Sequence, residues 1–236
     1  MTITSPHNEH LKEIRKLNQR RRARAESGRF VAEGEDLLAA ADAAGWEPVE
    51  RYCATGSGLQ GIEVEPKLLA AASELGSGTR TLAVYQERWA AAPTGPLCVY
   101  LHGVGDPGNV GTVLRSAEAF GAASVAIGPG TADPFGPKAV RASMGAVFSM
   151  PLARAATLSD LPGETVALDA VAAVPLDALV LGDTVTLLVG AEREGLPPDL
   201  IAACDQVARI PIVSHSLNAA MAATVALYEA SRMARG

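Results

Sequence analysis

Short apolar runs and helical segments alternate along the chain and predict two successive α/β units. In the first, strands are predicted to begin at Phe30 and to cover 49–54, 62–64 and 81–85, with helices at 35–44 and 67–75. In the second, strands are predicted at 97–101, 124–127, 165–168, 184–189 and 207–210, with helices at 110–120, 137–147, 198–204 and 217–235. Such alternation is typical of a parallel sheet with helices on both faces. Segment 90–96, rich in Ala, Pro and Gly, is predicted to link a domain at 1–90 to a domain at 96–236.

The N-terminal segment 8–24 combines a thin apolar stripe with a basic surface. Leu11, Ile14 and Leu17 recur at helical spacing among charged residues, which predicts one surface helix. The first 30 residues hold eight Lys and Arg against three Glu, a net charge of +5, while the remaining 206 residues carry −11. This arm is suited to the phosphates of a polyanion, although a merely solvated helix face has the same pattern. The arginines predicted to bind phosphates are Arg20, Arg21, Arg22, Arg24 and Arg29.

The composition limits the class of protein and the cellular compartment in which it is expected. Hydrophobic residues make up 48% of the chain and aromatic residues only 4%, which disfavours broad aromatic platforms for stacking bases. No apolar run approaches the roughly 20 residues needed to span a bilayer, and residues 1–13 are too polar for a signal peptide. The three cysteines are widely separated, as expected of free thiols in a reducing compartment. We therefore expect a cytoplasmic protein without a membrane span or a metal site.

A glycine-rich segment at 103–108 matches the dinucleotide-binding pattern GxGxxG. It follows a predicted strand and begins a predicted helix, as that pattern requires. However, the next strand ends in Ile127-Gly128-Pro129, with no acidic residue to bind a ribose hydroxyl. Pro107 also removes one backbone donor from the loop. A nicotinamide-dependent oxidoreductase is therefore a weak alternative.

Three longer motifs occur in order along the second half. They are DPGNVGTVLRSA at 106–117, VGAEREGL at 189–196, and Ile210-Pro211 followed by Ser216-Leu217-Asn218. Together with the segment DPFGPKAVRASMG at 133–145, they resemble the motifs of the SpoU (TrmH) family of RNA ribose methyltransferases within the SPOUT superfamily. The segment GRFVAEG at 28–34 resembles the start of the substrate-binding domain of many members, a unit similar to ribosomal protein L30e.

This resemblance implies a specific activity and assembly. It implies transfer of a methyl group from S-adenosylmethionine to a ribose 2′-hydroxyl of structured RNA, with 23S ribosomal RNA favoured over transfer RNA. It also implies a deep C-terminal trefoil knot and a homodimer in which the catalytic Arg of one subunit lies near the cofactor of the other. The sulfonium is already an activated leaving group, so no metal is expected. The loop at 212–215 is two residues shorter than is usual in the family, so an RNA-binding protein with impaired catalysis is an alternative.

The resemblance also assigns roles to individual residues. The residues assigned to catalysis are Asn109, Arg115, Glu192, Ser216 and Asn218, and those assigned to the cofactor, largely through the backbone, are Gly190, Ile210 and Leu217. Because a guanidinium resists deprotonation, we expect Arg115 to bind a phosphate and to stabilise the developing alkoxide. Asn109 would hold the ribose or the Arg, and Glu192 would orient one of them.

Structural roles are alternatives for the same residues. Arg115 could pair with Glu118, and Asn109 could cap its helix. Glu192 could face the N–H groups ahead of Pro198, and Ser216 could cap the last helix.

Overall fold

The computed structural model describes residues 2–74, 78–213 and 217–233. The chain divides into two compact units, unit 1 with residues 1–88 and 133–149 and unit 2 with residues 89–132 and 150–236. Within the described residues the helices are α1 (Glu9–Gln19), α2 (Arg21–Ser27), α3 (Glu35–Ala43), α4 (Pro66–Ala72), α5 (Pro107–Ala119), α6 (Pro137–Ala142), α7 (Ala146–Ser149), α8 (Pro198–Ala202) and α9 (Ala219–Met233). The strands are β1 (Arg29–Glu33), β2 (Glu50–Ala54), β3 (Ile62–Val64), β4 (Thr81–Gln86), β5 (Leu97–Leu101), β6 (Ser124–Ile127), β7 (Leu152–Arg154), β8 (Glu164–Leu168), β9 (Val174–Pro175), β10 (Val185–Val189) and β11 (Gln206–Arg209).

Unit 1 is built on a small mixed sheet with the strand order β1-β4-β2-β3. Strand β4 pairs antiparallel with both β1 and β2, whereas β2 and β3 are parallel. The apolar stripe of α1 packs on this sheet, because Leu11, Ile14 and Leu17 are all buried in one cluster with Tyr52 and Leu82. The predicted role of these three residues as a packing stripe is therefore confirmed.

The basic N-terminal segment forms two helices, so the prediction of a single helix over 8–24 is wrong. The chain breaks at Arg20, which has the extended dihedral angles φ −126° and ψ 109°. Arg24 bridges this break, because its buried guanidinium donates from Nη1 to the carbonyl of Leu17 at the end of α1, 2.5 Å away. Its Nε donates to Asp133 Oδ2 at 2.8 Å, with both side chains almost wholly buried. Arg24 thus holds α1 and α2 at an angle that a continuous helix would not allow.

Segment 133–149 packs in unit 1, although its place in the sequence lies within the predicted second domain. Phe135 and Phe148 join an aromatic cluster around Phe30, with ring centroids 4.8 Å and 6.0 Å from that ring. The helix predicted over 137–147 is interrupted between α6 and α7. Met144 and Gly145 there have φ angles of 51° and 101°. A side chain at position 145 is excluded, because a Cβ there would lie 2.6 Å from the Cβ of Ala40.

Unit 2 contains a seven-stranded sheet with the order β7-β6-β5-β10-β8-β11-β9, in which every pairing is parallel. The predicted parallel sheet is confirmed. Strands β7 and β9, with three and two residues, were not predicted. The chain runs outward from β5 through β6 to β7, whereas β10 lies on the other side of β5. In open parallel sheets a crevice for ligands forms at the carboxyl ends of the strands beside such a reversal.

Candidate active site

The first motif begins α5 at the carboxyl edge of the sheet. Asp106 is the N-cap residue, and its Oδ1 accepts hydrogen bonds from the backbone N–H groups of Gly108 at 2.6 Å and Asn109 at 3.2 Å. Pro107 occupies the first helical position, where the missing N–H is tolerated. Asn109 therefore lies within the first turn and does not cap the helix, which leaves its side chain for other contacts.

The side chains of Asn109, Glu192 and Asn218 form a hydrogen-bonded chain. Asn109 Nδ2 donates to Glu192 Oε1 at 2.6 Å, and Asn218 Nδ2 donates to Asn109 Oδ1 at 3.0 Å. Asn218 Oδ1 in turn accepts from the backbone N–H groups of Ala220 and Met221, so Asn218 caps α9. Three of the five residues assigned to catalysis are thus brought together by the fold. Ser216, and with it the alternative of a Ser216 cap, lies outside the described residues.

The loop of the second motif closes on itself just after β10. Ala191 and Gly195 exchange two backbone hydrogen bonds of 3.1 Å and 3.0 Å. Gly190 is required by this closure, because a Cβ there would lie 2.2 Å from the carbonyl carbon of Gly195. Glu192 is held at the exposed side of this turn and points to Asn109 instead of capping α8, which has no side-chain cap.

A cavity of about 410 Å³ opens beside the hydrogen-bonded chain. Gly190, Ile210 and Leu217, the three residues that the resemblance assigns to the cofactor, all line it. Its walls are part apolar and part polar, and its volume falls within the usual range for small-molecule sites. The cavity is also lined by residues to which the resemblance assigns no role, among them Leu168, Asp169, Arg193, Glu194 and Ile201. Among these, Asp169 could have been recognised from the sequence as a candidate ligand contact, because it follows an apolar strand at the edge where parallel sheets bind ligands.

Arg115 lies on α5 with its side chain exposed. Within the described part of the chain it makes no hydrogen bond or ion pair, and the fold does not join it to Asn109, Glu192 or Asn218. The buried face of the same helix is tied to α9 by a 2.7 Å contact between the hydroxyls of Ser116 and Thr224. The position of Arg115 on a packed helix is therefore fixed while its guanidinium faces solvent.

Burial shifts the pKa values of a tyrosine and a histidine at the end of β5. The backbone N–H of His102 donates to Val189 at 2.9 Å, and its ring Nδ1 lies 3.0 Å from the hydroxyl of Tyr100. Burial lowers the pKa of His102 and raises the pKa of Tyr100, because both charged forms are disfavoured away from water. Burial therefore favours the uncharged form of each group.

The five arginines of the basic arm differ in exposure. Arg20 and Arg21 are exposed and have no ion-pair partner among the residues that the structure describes. Arg22 pairs with Glu26 at 2.6 Å and Arg29 with Glu13 at 3.1 Å, both at the surface. Arg24 is the exception, since it is buried against Asp133.

Over residues 2–74, 78–213 and 217–233, no helix is long and apolar enough to cross a membrane. The same residues contain no group of three or more His, Cys, Asp and Glu side chains that could hold a metal ion.

Comparison with known protein families identifies the class. A model of the SpoU rRNA methylase family matches residues 96–228, and a model of the MRM3-like substrate-binding domain matches residues 8–87. The chain therefore belongs to the SpoU rRNA methylase family. The predicted family and the predicted α/β fold class are confirmed, and the trefoil knot stays a prediction.

Individual relatives agree with this assignment. The structure resembles that of an AdoMet-bound rRNA methyltransferase from Sinorhizobium meliloti, with a TM-score of 0.87 and 31% identity over 98% of this chain and 97% of that one. The 23S rRNA (guanosine(2553)-2′-O)-methyltransferase RlmP of Bacillus subtilis is 26% identical over 96% of this chain and 97% of its own length. An uncharacterized tRNA/rRNA methyltransferase of Mycobacterium avium is 38% identical over 62% of this chain and 51% of its own. The match thus spans about half the length of that protein and of several similar mycobacterial relatives.

Proposed function

We propose that the protein transfers a methyl group from S-adenosylmethionine to a ribose 2′-hydroxyl of structured RNA, with 23S ribosomal RNA as the preferred substrate. The observation that carries this proposal is the set of hydrogen-bonded side chains Glu192–Asn109–Asn218 beside a cavity of about 410 Å³. The AdoMet-bound relative and RlmP support the choice of donor and of RNA. A ribosomal RNA substrate would place the protein in the cytoplasm.

The cavity fits the proposed donor in size and chemistry. Leu168, Ile201 and Leu217 offer apolar surface to an adenine ring, and the strand ends at Gly190 and Ile210 offer backbone groups at the ligand edge of the sheet. When bound, S-adenosylmethionine supplies a methyl carbon that is already activated by the sulfonium charge. The protein then has to align the ribose oxygen with that carbon, and such positioning accounts for much of the rate in reactions of this kind.

The described side chains divide this task. Asn109 is fixed on both sides, because its Nδ2 donates to Glu192 and its Oδ1 accepts from Asn218. Glu192 keeps a second carboxylate oxygen that is able to accept from the substrate ribose or from an arginine. Arg115 would bind the neighbouring phosphate and stabilise the negative charge that develops as the hydroxyl loses its proton.

We also propose that the protein acts as a homodimer. Met221, Val225 and Tyr228 form an apolar stripe along α9, although they are 57%, 41% and 54% exposed. Their spacing places them on one helix face, and clustered exposed apolar side chains indicate an interaction surface. Arg115, exposed on the neighbouring helix α5, would then enter the partner's site across this interface.

Methyl transfer to defined RNAs tests the activity. We expect label from S-adenosylmethionine to enter unmodified 23S ribosomal RNA at one ribose, with less or none in transfer RNA, and the modified position is mapped afterwards. Exclusive labelling of transfer RNA would overturn the choice of substrate. No labelling, combined with RNA binding and no calorimetric signal for the donor, would instead favour an RNA-binding protein without catalysis.

The variant Arg115→Ala tests the assignment of the catalytic cation. We expect methyl transfer to fall at least about 100-fold, the scale seen when a group that stabilises developing charge is removed. S-adenosylhomocysteine affinity should stay within a few-fold, because Arg115 does not line the cavity. Arg115→Lys should recover little activity, since an ammonium lacks the planar fork of a guanidinium. Activity of Arg115→Ala within a few-fold of the parent would remove Arg115 from the site.

A further inference from the structure

An aspartate at the end of β8 lines the same cavity and has no role in the hydrogen-bonded chain described above. Asp169 directly follows Leu168, and its backbone N–H donates to the carbonyl of Ala208 at 2.9 Å, which continues the pairing of β8 with β11. Its carboxylate is therefore at the carboxyl edge of the parallel sheet, where ligands bind.

The strand order shows which part of a ligand Asp169 would meet. Strand β8 lies between β10 and β11, so Asp169 lies between the segments that begin at Gly190 and Ile210. Asn109 belongs to the helix after β5, on the far side of β10. Neighbouring strands are about 4.8 Å apart, so β8 is about 10 Å from β5. Asp169 thus lines the cavity at a distance from Asn109, where it would meet a part of the donor other than the transferred methyl group.

The turn after Asp169 is fixed by its own hydrogen bonds. Asp169 Oδ1 accepts from the backbone N–H of Val171 at 3.2 Å, and the carbonyl of Asp169 accepts from Ala172 at 3.2 Å. Arg209 donates from Nη1 to the carbonyls of Ala172, 2.8 Å away, and Ala173. Within the described residues no cation pairs with Asp169 and no side chain donates to it. The second carboxylate oxygen is therefore available to a ligand in the cavity.

We propose that Asp169 accepts hydrogen bonds from the ribose 2′- and 3′-hydroxyls of the adenosine part of the methyl donor. This inference rests on the proposed function. A carboxylate has only acceptor atoms, and a vicinal diol offers two adjacent donors that it can bind together. Acidic residues at strand ends bind ribose hydroxyls in the same way in dinucleotide-binding folds. Asp169 thereby selects an intact ribose in the cofactor.

The variant Asp169→Asn separates binding of the ribose from the structural role of Asp169, which is to accept the hydrogen bond from the N–H of Val171. Asparagine keeps an oxygen for the N–H of Val171 but replaces the other oxygen with an amide donor, which cannot accept from a hydroxyl. Isothermal calorimetry would measure binding of S-adenosylhomocysteine and of its 2′-deoxy and 3′-deoxy analogues. We expect Asp169→Asn to bind S-adenosylhomocysteine about 10- to 100-fold more weakly, the range for a hydrogen bond to a charged group.

The analogues show which group the carboxylate binds. At least one deoxy analogue should bind the parent protein more weakly than S-adenosylhomocysteine does, whereas Asp169→Asn should no longer distinguish them. Asp183→Asn is the matched control, because Asp183 precedes β10 at the opposite edge of the sheet, and it should bind all three ligands as the parent does. Thermal unfolding verifies that each variant is folded.

Two results would overturn the inference while leaving the proposed function intact. One is unchanged affinity of Asp169→Asn for S-adenosylhomocysteine. The other is an equal loss of affinity for all three ligands with the parent's discrimination preserved, which would place the carboxylate at another part of the cofactor, such as its ammonium group. Absence of any binding by the parent protein would overturn both the inference and the proposed donor.

Discussion

Asn109 donates a hydrogen bond to Glu192 across 2.6 Å, although 83 residues separate the two in the sequence. The contact joins the helix after β5 to the loop after β10, and these two strands are neighbours in the sheet. Because Asn109 also accepts from Asn218 at the start of α9, one amide side chain links three segments of the chain. The first, second and third sequence motifs therefore meet at this residue.

Exchanging the amide and the acid between positions 109 and 192 tests whether this contact matters for catalysis. Asn109→Asp would place two carboxylates in contact, so we expect methyl transfer near pH 7 to fall at least about tenfold through repulsion. The free energy of unfolding should fall only modestly, because the helix dipole favours a carboxylate in the first turn of α5 and offsets part of the repulsion. The double variant Asn109→Asp with Glu192→Gln restores one acid and one amide and should be more active than Asn109→Asp alone. The measurement is kcat/KM for the parent, the single variant and the double variant. A double variant no more active than Asn109→Asp would contradict a catalytic role for the contact.

The sequence predicted the regular part of the fold well. The strands at 97–101 and 124–127 have the predicted bounds, because short apolar runs between turn residues carry a strong local signal. The three-residue strand at 62–64 also has its predicted bounds. The resemblance assigned Asn109 and Glu192 to one site, but the direct hydrogen bond between them was not predicted, since each was expected to contact the ribose or Arg115.

Features that depend on distant contacts could not be predicted. The break at Arg20 is bridged by Arg24, which also pairs with Asp133, 109 residues away. At the interruption between α6 and α7, Gly145 lies close to Ala40 on α3, which leaves no room for a side chain. Local periodicity contains no record of either contact, so a continuous helix is the natural prediction for both segments.

Removal of the buried guanidinium of Arg24 should destabilise the fold. We expect Arg24→Ala to lower the free energy of unfolding by about 3 kcal/mol, because Asp133 would be left buried without its partner. Arg22→Ala is the matched control: its pair with Glu26 is exposed, so the decrease should stay below about 1 kcal/mol. Denaturant unfolding measures both values. Additive decreases in Arg24→Ala, Asp133→Ala and the double variant would show that the two side chains do not interact.

Neutralisation of the exposed arginines of the arm should weaken RNA binding through the salt-dependent part of affinity. In the triple variant Arg20→Gln, Arg21→Gln, Arg22→Gln, the slope of log affinity against log salt should become shallower by up to about 0.9 for each RNA phosphate that the arm no longer neutralises. Lys67→Gln, a charge change at an exposed position on α4, serves as the control and should leave the slope unchanged. A slope equal to that of the parent in the triple variant would show that the arm is a solvated surface that does not neutralise RNA phosphates.

A charge in the apolar stripe of α9 should separate the proposed dimer. Val225 is 41% exposed between Met221 and Tyr228, so Val225→Asp would bury a carboxylate at the interface, which is costly without a partner. Sedimentation equilibrium should give about twice the chain mass of 24.3 kDa for the parent and the single-chain mass for the variant. Val180→Asp, a change at a valine that is 87% exposed outside α9, should remain dimeric. If Arg115 acts in the partner's site, Val225→Asp should also lose methyl transfer while it still binds S-adenosylhomocysteine. A fully active single chain would rule out both the dimer and the shared site.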